Sequence, residues 1–354
     1  MSRIHCFLTI AIGLTLSACA IRFDVGATVI AVTALPPIGA PPLLTLTPSP
    51  NSATLSPTPS PDSTGTPTPD PFAPYFVESL RARAYDGGQI DISQTLEQNS
   101  AYTSYIIAYP SDGLRITGMM NVPAGDGPFP VLILNHGYYD PAIYIPGNGT
   151  RNAADFFARN GYLTLASDYR GYAGSDLGDD FFRTGYVVDV VNLIASVKTL
   201  PQAKADSIGV WGHSMGGGVS LAVAVINPPG LRGVVLYGAM SGDMTANYYR
   251  IAWFRGWATP GPDWPVPPEA APESYAQLSP INYLQYVSVP IRIHHGYLDD
   301  QVPYDWSLRL DTALKLAGKD SELYNYPSAG HSFFDADWNL FMERCGEFFE
   351  GVMK

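Results

Sequence analysis

From residue 100 onward, short apolar runs alternate with stretches of helical periodicity. The runs 131–135, 162–167, 208–211, 233–237, 291–294 and 322–326 are rich in Val, Ile, Leu and Tyr. Several are apolar almost throughout rather than every second residue, which is the signature of strands buried on both faces. Helical patterns separate them at 153–159, 186–200, 215–226 and 306–316, with a closing helix at 338–352. In the second of these, Val187, Val190, Val191, Ile194 and Val197 recur at helical spacing and put one apolar face on a sheet. Ahead of them, 102–109 and 114–122 flank Pro110-Ser111-Asp112-Gly113 and read as a β-hairpin. The alternation predicts an α/β fold with a mostly parallel central sheet and helices on both faces.

Two regions depart from this rhythm. Between 241 and 286 the chain carries Tyr248, Tyr249, Trp253, Phe254, Trp257 and Trp264, then the Pro-rich stretch 260–272. This is either an aromatic lid over an apolar acyl or aryl site or a surface excursion whose aromatics form their own small core. At the N-terminus, Arg3 precedes the apolar run 7–16, which is too short to span a membrane comfortably and reads as a signal peptide over 1–18. Leu16-Ser17-Ala18-Cys19 resembles a bacterial lipobox, which implies acylation of Cys19, export and lipid anchorage at the extracytoplasmic face of the cell membrane. Residues 19–74 are then a lipidated terminus and a Pro/Thr/Ser-rich linker, densest over 35–74, with too little apolar content to build a core. Such a tract is expected to be a disordered tether, reaching on the order of 120 Å if fully polyproline II. The catalytic domain is expected over 75–354.

The candidate chemistry begins at Ile208-Gly209-Val210-Trp211-Gly212-His213-Ser214-Met215-Gly216-Gly217. A strand runs into G-x-S-x-G and then a helix, which resembles the nucleophile elbow of α/β-hydrolases, with Ser214 at its apex. In that fold the acid and then the histidine follow the serine. His5, His136 and His213 precede Ser214, and His294 and His295 end a strand-like run, which leaves His331. The acid is Asp299 or Asp300. The segment 295–303 matches the H-G-x-x-D-x-x-V-P pattern of many hydrolases, whose register selects Asp299. A serine hydroxyl needs an imidazole to take its proton, and the imidazole needs a carboxylate to fix its tautomer. The oxyanion hole implied by the resemblance is the backbone N–H of Tyr138, after the strand 131–135, with that of Met215. His136 reads as a strand-end histidine that braces its loop.

The domain from about residue 100 resembles the prolyl oligopeptidase and dienelactone-hydrolase branch of the α/β-hydrolase superfamily. The resemblance rests on Tyr109-Pro110-Ser111-Asp112-Gly113, Asp168-Tyr169-Arg170-Gly171, the elbow, Ser279-Pro280, His295-Gly296 with Asp299, and Gly330-His331. It implies a serine hydrolase that cleaves ester or peptide bonds of small substrates. The sequence shows no β-propeller ahead of the catalytic domain, and the nucleophile is serine where dienelactone hydrolases use cysteine, so simple ester hydrolysis gains weight. The alternatives are a carboxylesterase without peptidase activity, a non-catalytic surface-binding lipoprotein, and a haloperoxidase-like or lyase use of the same triad.

Charge and cysteine content narrow the partners. The formal net charge of −12 argues against nucleic-acid or anionic-lipid binding, so membrane attachment must come from the lipid. Of three cysteines, Cys6 leaves with the signal and Cys19 carries lipid, so Cys345 stands alone and no intrachain disulfide is expected. No cofactor or metal motif is present, and the acidic pair Asp179-Asp180 reads as a solvated loop or helix start.

Overall fold

A computed structural model describes residues 70–353. The signal peptide, Cys19 and nearly all of the linker lie outside the described residues. Nine strands form one sheet among the described residues: β1 (Asp91–Gln98), β2 (Tyr102–Ser111), β3 (Leu114–Pro123), β4 (Phe129–Asn135), β5 (Leu163–Ser167), β6 (Ala203–His213), β7 (Leu231–Tyr237), β8 (Ile291–Gly296) and β9 (Ser321–Tyr326). Their order is β1-β2-β3-β5-β4-β6-β7-β8-β9. The pairings from β1 to β5 are antiparallel, and those from β5 across to β9 are parallel. The hairpin and the strands β4 to β9 fall where the hydrophobic pattern puts them, although β9 buries only Tyr326 of its six residues.

β1 is the element the pattern misses. All eight of its residues are exposed, and its ladder to β2 shifts register between Ile92 and Gln94 and again between Thr95 and Glu97. A strand with no buried face has no alternation to read, and two bulges would scramble it anyway.

Eight helices accompany the sheet among the described residues: α1 (Val77–Ala82), α2 (Arg151–Arg159), α3 (Thr184–Ser196), α4 (Met215–Ile226), α5 (Met244–Arg255), α6 (Pro272–Leu278), α7 (Tyr304–Leu316) and α8 (Asp335–Met353). Val190 and Leu193 of α3, Val219 and Val223 of α4 and Leu314 of α7 share one core with the sheet. Ala154 and Phe157 of α2 and Phe341, Cys345 and Phe349 of α8 fill the other face. The sheet is therefore covered on both sides. Packing begins earlier than the expected boundary at residue 75. The Ser274 hydroxyl donates to Asp70 Oδ2 at 2.6 Å, and Phe72 meets Phe182 edge-on at 5.2 Å. Phe72, Tyr75 and Phe76 interrupt the low-complexity tract with enough apolar surface to dock it.

A buried ion pair ties the entry hairpin to α3. Asp189 accepts from Arg170 Nη2 at 2.8 Å, Arg170 Nε at 3.1 Å, the Arg170 backbone N–H at 2.9 Å and the Ser111 hydroxyl at 2.7 Å. Four donors on one fully buried carboxylate leave it no unmet lone pair. The neighbouring acidic pair differs from expectation: Asp180 is buried, salt-bridged to Arg183 at 3.0 Å, and accepts the Tyr186 N–H at 3.1 Å. Burial raises its pKa to about 6. Only Asp179 is exposed, as the sequence reading has it. Asp189→Ala would leave Arg170 buried and unpaired, and is expected to cost about 3–5 kcal/mol in urea unfolding. A loss below about 1 kcal/mol would show that Arg170 finds another partner or water.

Candidate active site

Ser214 sits between β6 and α4 with φ 56° and ψ −119°. That region is sparsely populated for a side-chain-bearing residue and costs on the order of 1–3 kcal/mol unless the surroundings impose it. They do. The Ser214 N–H donates to the Tyr237 carbonyl at 2.9 Å, and its own carbonyl accepts from Gly217 and Met240, each at 3.0 Å. The flanking glycines serve a different purpose from the one their motif suggests, because none takes a positive φ. A Cβ on Gly212 would lie 2.2 Å from the Gly216 carbonyl oxygen, and one on Gly216 would lie 2.1 Å from that of Asn135. They are needed for close approach of backbone to backbone, while the serine carries the conformational strain.

The loop after β8 brings Asp299 to His331. Asp299 Oδ1 accepts the N–H groups of Gln301 at 2.9 Å and Val302 at 2.8 Å. Its Oδ2 lies 2.8 Å from His331 Nδ1 and 3.1 Å from His295 Nε2. Asp300 is exposed and only its backbone carbonyl is engaged, by Arg250. Of the two candidates, Asp299 is the one brought to the histidine. Burial works against the ionised Asp299 carboxylate, but hydrogen bonds from His295 and His331 outweigh it and hold the pKa below the ordinary range. Directly beneath the pair, Gly238 has φ 47°, and a Cβ there would stand 3.3 Å from Asp299 Oδ2 and 3.4 Å from His331 Nδ1.

Two further histidines support this pair. His295 is fully buried, with Nε2 facing the Val302 carbonyl at 3.0 Å as well as Asp299, and Nδ1 facing the Ser307 hydroxyl at 2.6 Å. Two acceptors on Nε2 place the proton there, so Ser307 donates to Nδ1. His213 lies against Tyr237, ring centroids 4.2 Å apart, and its Nε2 is 2.9 Å from the His331 carbonyl. Burial pushes its pKa down to about 3, so it is the neutral ring that donates and anchors the His331 backbone. Sequence reading passed over both, one as a strand end and one as a variable motif position. The signal for His295 was available in its place four residues before Asp299, spanning a single turn.

Ser214 and His331 line the same cavity, with no hydrogen bond between them. Such pairs commonly tighten only in the substrate complex. At the cavity edge, the N–H groups of Tyr138 and Met215 donate to no protein acceptor among the described residues. Met215 is the first residue of α4, where the helix leaves its donors free. His136, stacked on Tyr144 at 4.6 Å, faces the Gly137 carbonyl at 2.7 Å and the Asp168 carbonyl at 3.3 Å. Burial lowers its pKa to about 4, so the neutral ring donates once, to the nearer oxygen. In a trans peptide the N–H opposes the C=O, so tying the Gly137 carbonyl to His136 turns the Tyr138 N–H the other way.

The cavity has a volume of about 560 Å³. α5 and the following loop contribute Met244, Ile251, Phe254, Trp257 and Trp264 to its wall. Met244, Tyr248, Trp264 and Tyr275 also form a buried cluster with Phe76 and Phe182. Aromatics of the segment 241–286 thus line the cavity and also pack into a core shared with Phe76 and Phe182.

The chain is 27% identical over 233 residues to the uncharacterized peptidase YtmA of Bacillus subtilis, covering 65% of this chain and 86% of that protein. Among solved structures, acetyl xylan esterase 1 from Thermoanaerobacterium superposes with a TM-score of 0.58 at 21% identity, covering 80% of this chain and 95% of that one. An acylaminoacyl peptidase from Pyrococcus horikoshii gives 0.56 at 20% identity, covering 72% of this chain and 42% of that one. At these identities the structures speak to the fold, which is that of the α/β-hydrolases. The profile of the prolyl oligopeptidase family matches residues 148–353, more than half of the sequence, and the chain belongs to that family of serine hydrolases.

Proposed function

We propose that Ser214, His331 and Asp299 are a catalytic triad that cleaves carboxylic esters through an acyl-enzyme. The reading rests on the 2.8 Å contact between His331 Nδ1 and Asp299 Oδ2, beside a serine held in a strained turn on the same cavity. His331 Nε2 takes the proton as the Ser214 oxygen attacks the carbonyl carbon, and the N–H groups of Tyr138 and Met215 receive the charge on the carbonyl oxygen. His331 then returns the proton to the departing alkoxide. Water repeats the sequence, releasing the acid and restoring the serine.

Charge around the cavity favours esters over peptides with a free amino terminus. Arg250 and Arg255 line it with no carboxylate partner among the described residues, Arg183 is paired with Asp180 and Asp263, and no Asp or Glu lines it, so a protonated amine would find no opposite charge on the wall. The same chemistry applied to amides is the second reading, supported by the family and by the named peptidase relative. We further propose that Cys19 is acylated and anchors the enzyme to the outer face of the cell membrane, as its lipobox-like context suggests.

Ser214→Ala should abolish fluorophosphonate labelling and lower turnover by several orders of magnitude, about 10⁶ where such triads have been cut. Labelling at the wild-type rate would remove the assignment. Asp299→Asn should slow acylation by about 10³–10⁴ by favouring the wrong His331 tautomer, whereas Asp300→Asn should cost far less. The reverse order would shift the acid by one residue. In detergent partitioning the wild-type protein should enter the detergent phase and Cys19→Ser should stay aqueous or remain an uncleaved precursor, since each buried acyl methylene contributes about 0.8 kcal/mol. A soluble wild-type protein whose N-terminus is another residue would make it a plain secreted enzyme.

A further inference from the structure

The cavity follows one stripe of α4. Met215, Gly218, Val219 and Ala222 all line it, and their spacing of three and four places them on a single face running down from Ser214. At a rise of about 1.5 Å per residue, the stripe is about 10 Å long. Its far end meets α1, whose Val77 and Leu80 line the same cavity from one helical face, joined by Tyr75. α1 is pinned there. The Arg81 guanidinium donates to the carbonyls of Val225 and Ile226 at the end of α4, the latter at 3.2 Å, and stacks 3.6 Å over the Tyr286 ring. The Tyr286 hydroxyl in turn donates to Glu78 at 2.7 Å.

We propose that Val77 and Leu80 close the acyl-binding end of the cavity, and that the substrates are esters of apolar acids of medium length. The inference deepens the serine-hydrolase reading above and rests on it. The leaving group must depart on the side of His331, which protonates it, so the acyl group takes the other direction, along α4. The walls it meets there, Val219, Ala222, Met244, Leu278, Val77 and Leu80, offer no charge. At carbon–carbon bonds of about 1.5 Å, a 10 Å stripe holds an extended acyl chain of roughly eight carbons. An acetyl group would leave most of that apolar surface unfilled. Leu80, almost fully buried, lines the cavity from the helix that Arg81 ties to the end of α4, and sets the limit.

The test uses the full-length protein and 4-nitrophenyl acetate, butanoate, octanoate and dodecanoate, with active sites titrated by diethyl 4-nitrophenyl phosphate. With the leaving group constant, differences in kcat/KM report the acyl site. Wild type should favour octanoate over acetate by about tenfold or more, at roughly fourfold per methylene buried on the stripe. Leu80→Trp should collapse that ratio by about tenfold, and Leu80→Ala should move the optimum toward dodecanoate. Should Leu80→Trp fail to titrate, Leu80→Ala and Val77→Ala decide the matter through the same chain-length series. A wild-type preference for acetate, or ratios within about twofold of wild type in the variants that titrate, would overturn the proposal while leaving the hydrolase reading intact. A wild-type protein that neither titrates nor turns over any ester would overturn the hydrolase reading beneath it.

Discussion

Ser214 occupies a backbone conformation that its own side chain disfavours, and the surrounding architecture is what keeps it there. The residue is clamped by the Tyr237 carbonyl from β7 and by the N–H groups of Gly217 and Met240. That clamp needs β4, β6 and α4 closer together than side chains permit, hence the glycines at 212 and 216. The place is also where the strand order turns back on itself: β4 lies between β5 and β6, so the chain leaves it on one side and returns on the other. Crevices form at such switch points, outside the carboxyl ends of the strands. The loop after β4 brings Tyr138, and the turn after β6 brings Ser214 and Met215, to that one crevice.

Placement of the proton depends on a second constraint, the charge on Asp299. A carboxylate this buried would ordinarily favour its neutral form. Two backbone N–H groups and two imidazoles hold it ionised, and an ionised Asp299 fixes the proton on His331 Nδ1, leaving Nε2 as the unprotonated nitrogen. On the proposed triad, His295 would act on Ser214 at two removes, through Asp299 and then His331. His213 acts differently, by holding the His331 main chain while its own ring stays neutral.

How much of this was legible in the sequence follows from what each residue's neighbours are. The buried strands and the helices over them leave a period, and the elbow leaves a motif, because their causes are local. His331 emerged from chain order, and the register of the loop after β8 chose between two adjacent aspartates. The contributions of His213, His295 and α1 did not emerge, because each depends on partners brought close only by the fold. Val77 and Leu80 sit more than 130 residues from the serine whose cavity they line. The Pro/Thr/Ser-rich tract beside them masks the few aromatics that begin the domain. Asp180 shows the same limit: an acidic pair reads as solvated until a partly buried arginine is known to face it.

The exposed first strand bears on how these molecules behave when crowded together. An open sheet edge invites another chain to extend its ladder. On β1 that ladder is interrupted twice within eight residues, and Asp91 and Glu97 carry negative charge at its two ends. A second copy aligning there would have to match both bulges and bring like charges together. The strand that contributes no core thus shields β2, whose residues are largely buried, from edge-to-edge aggregation.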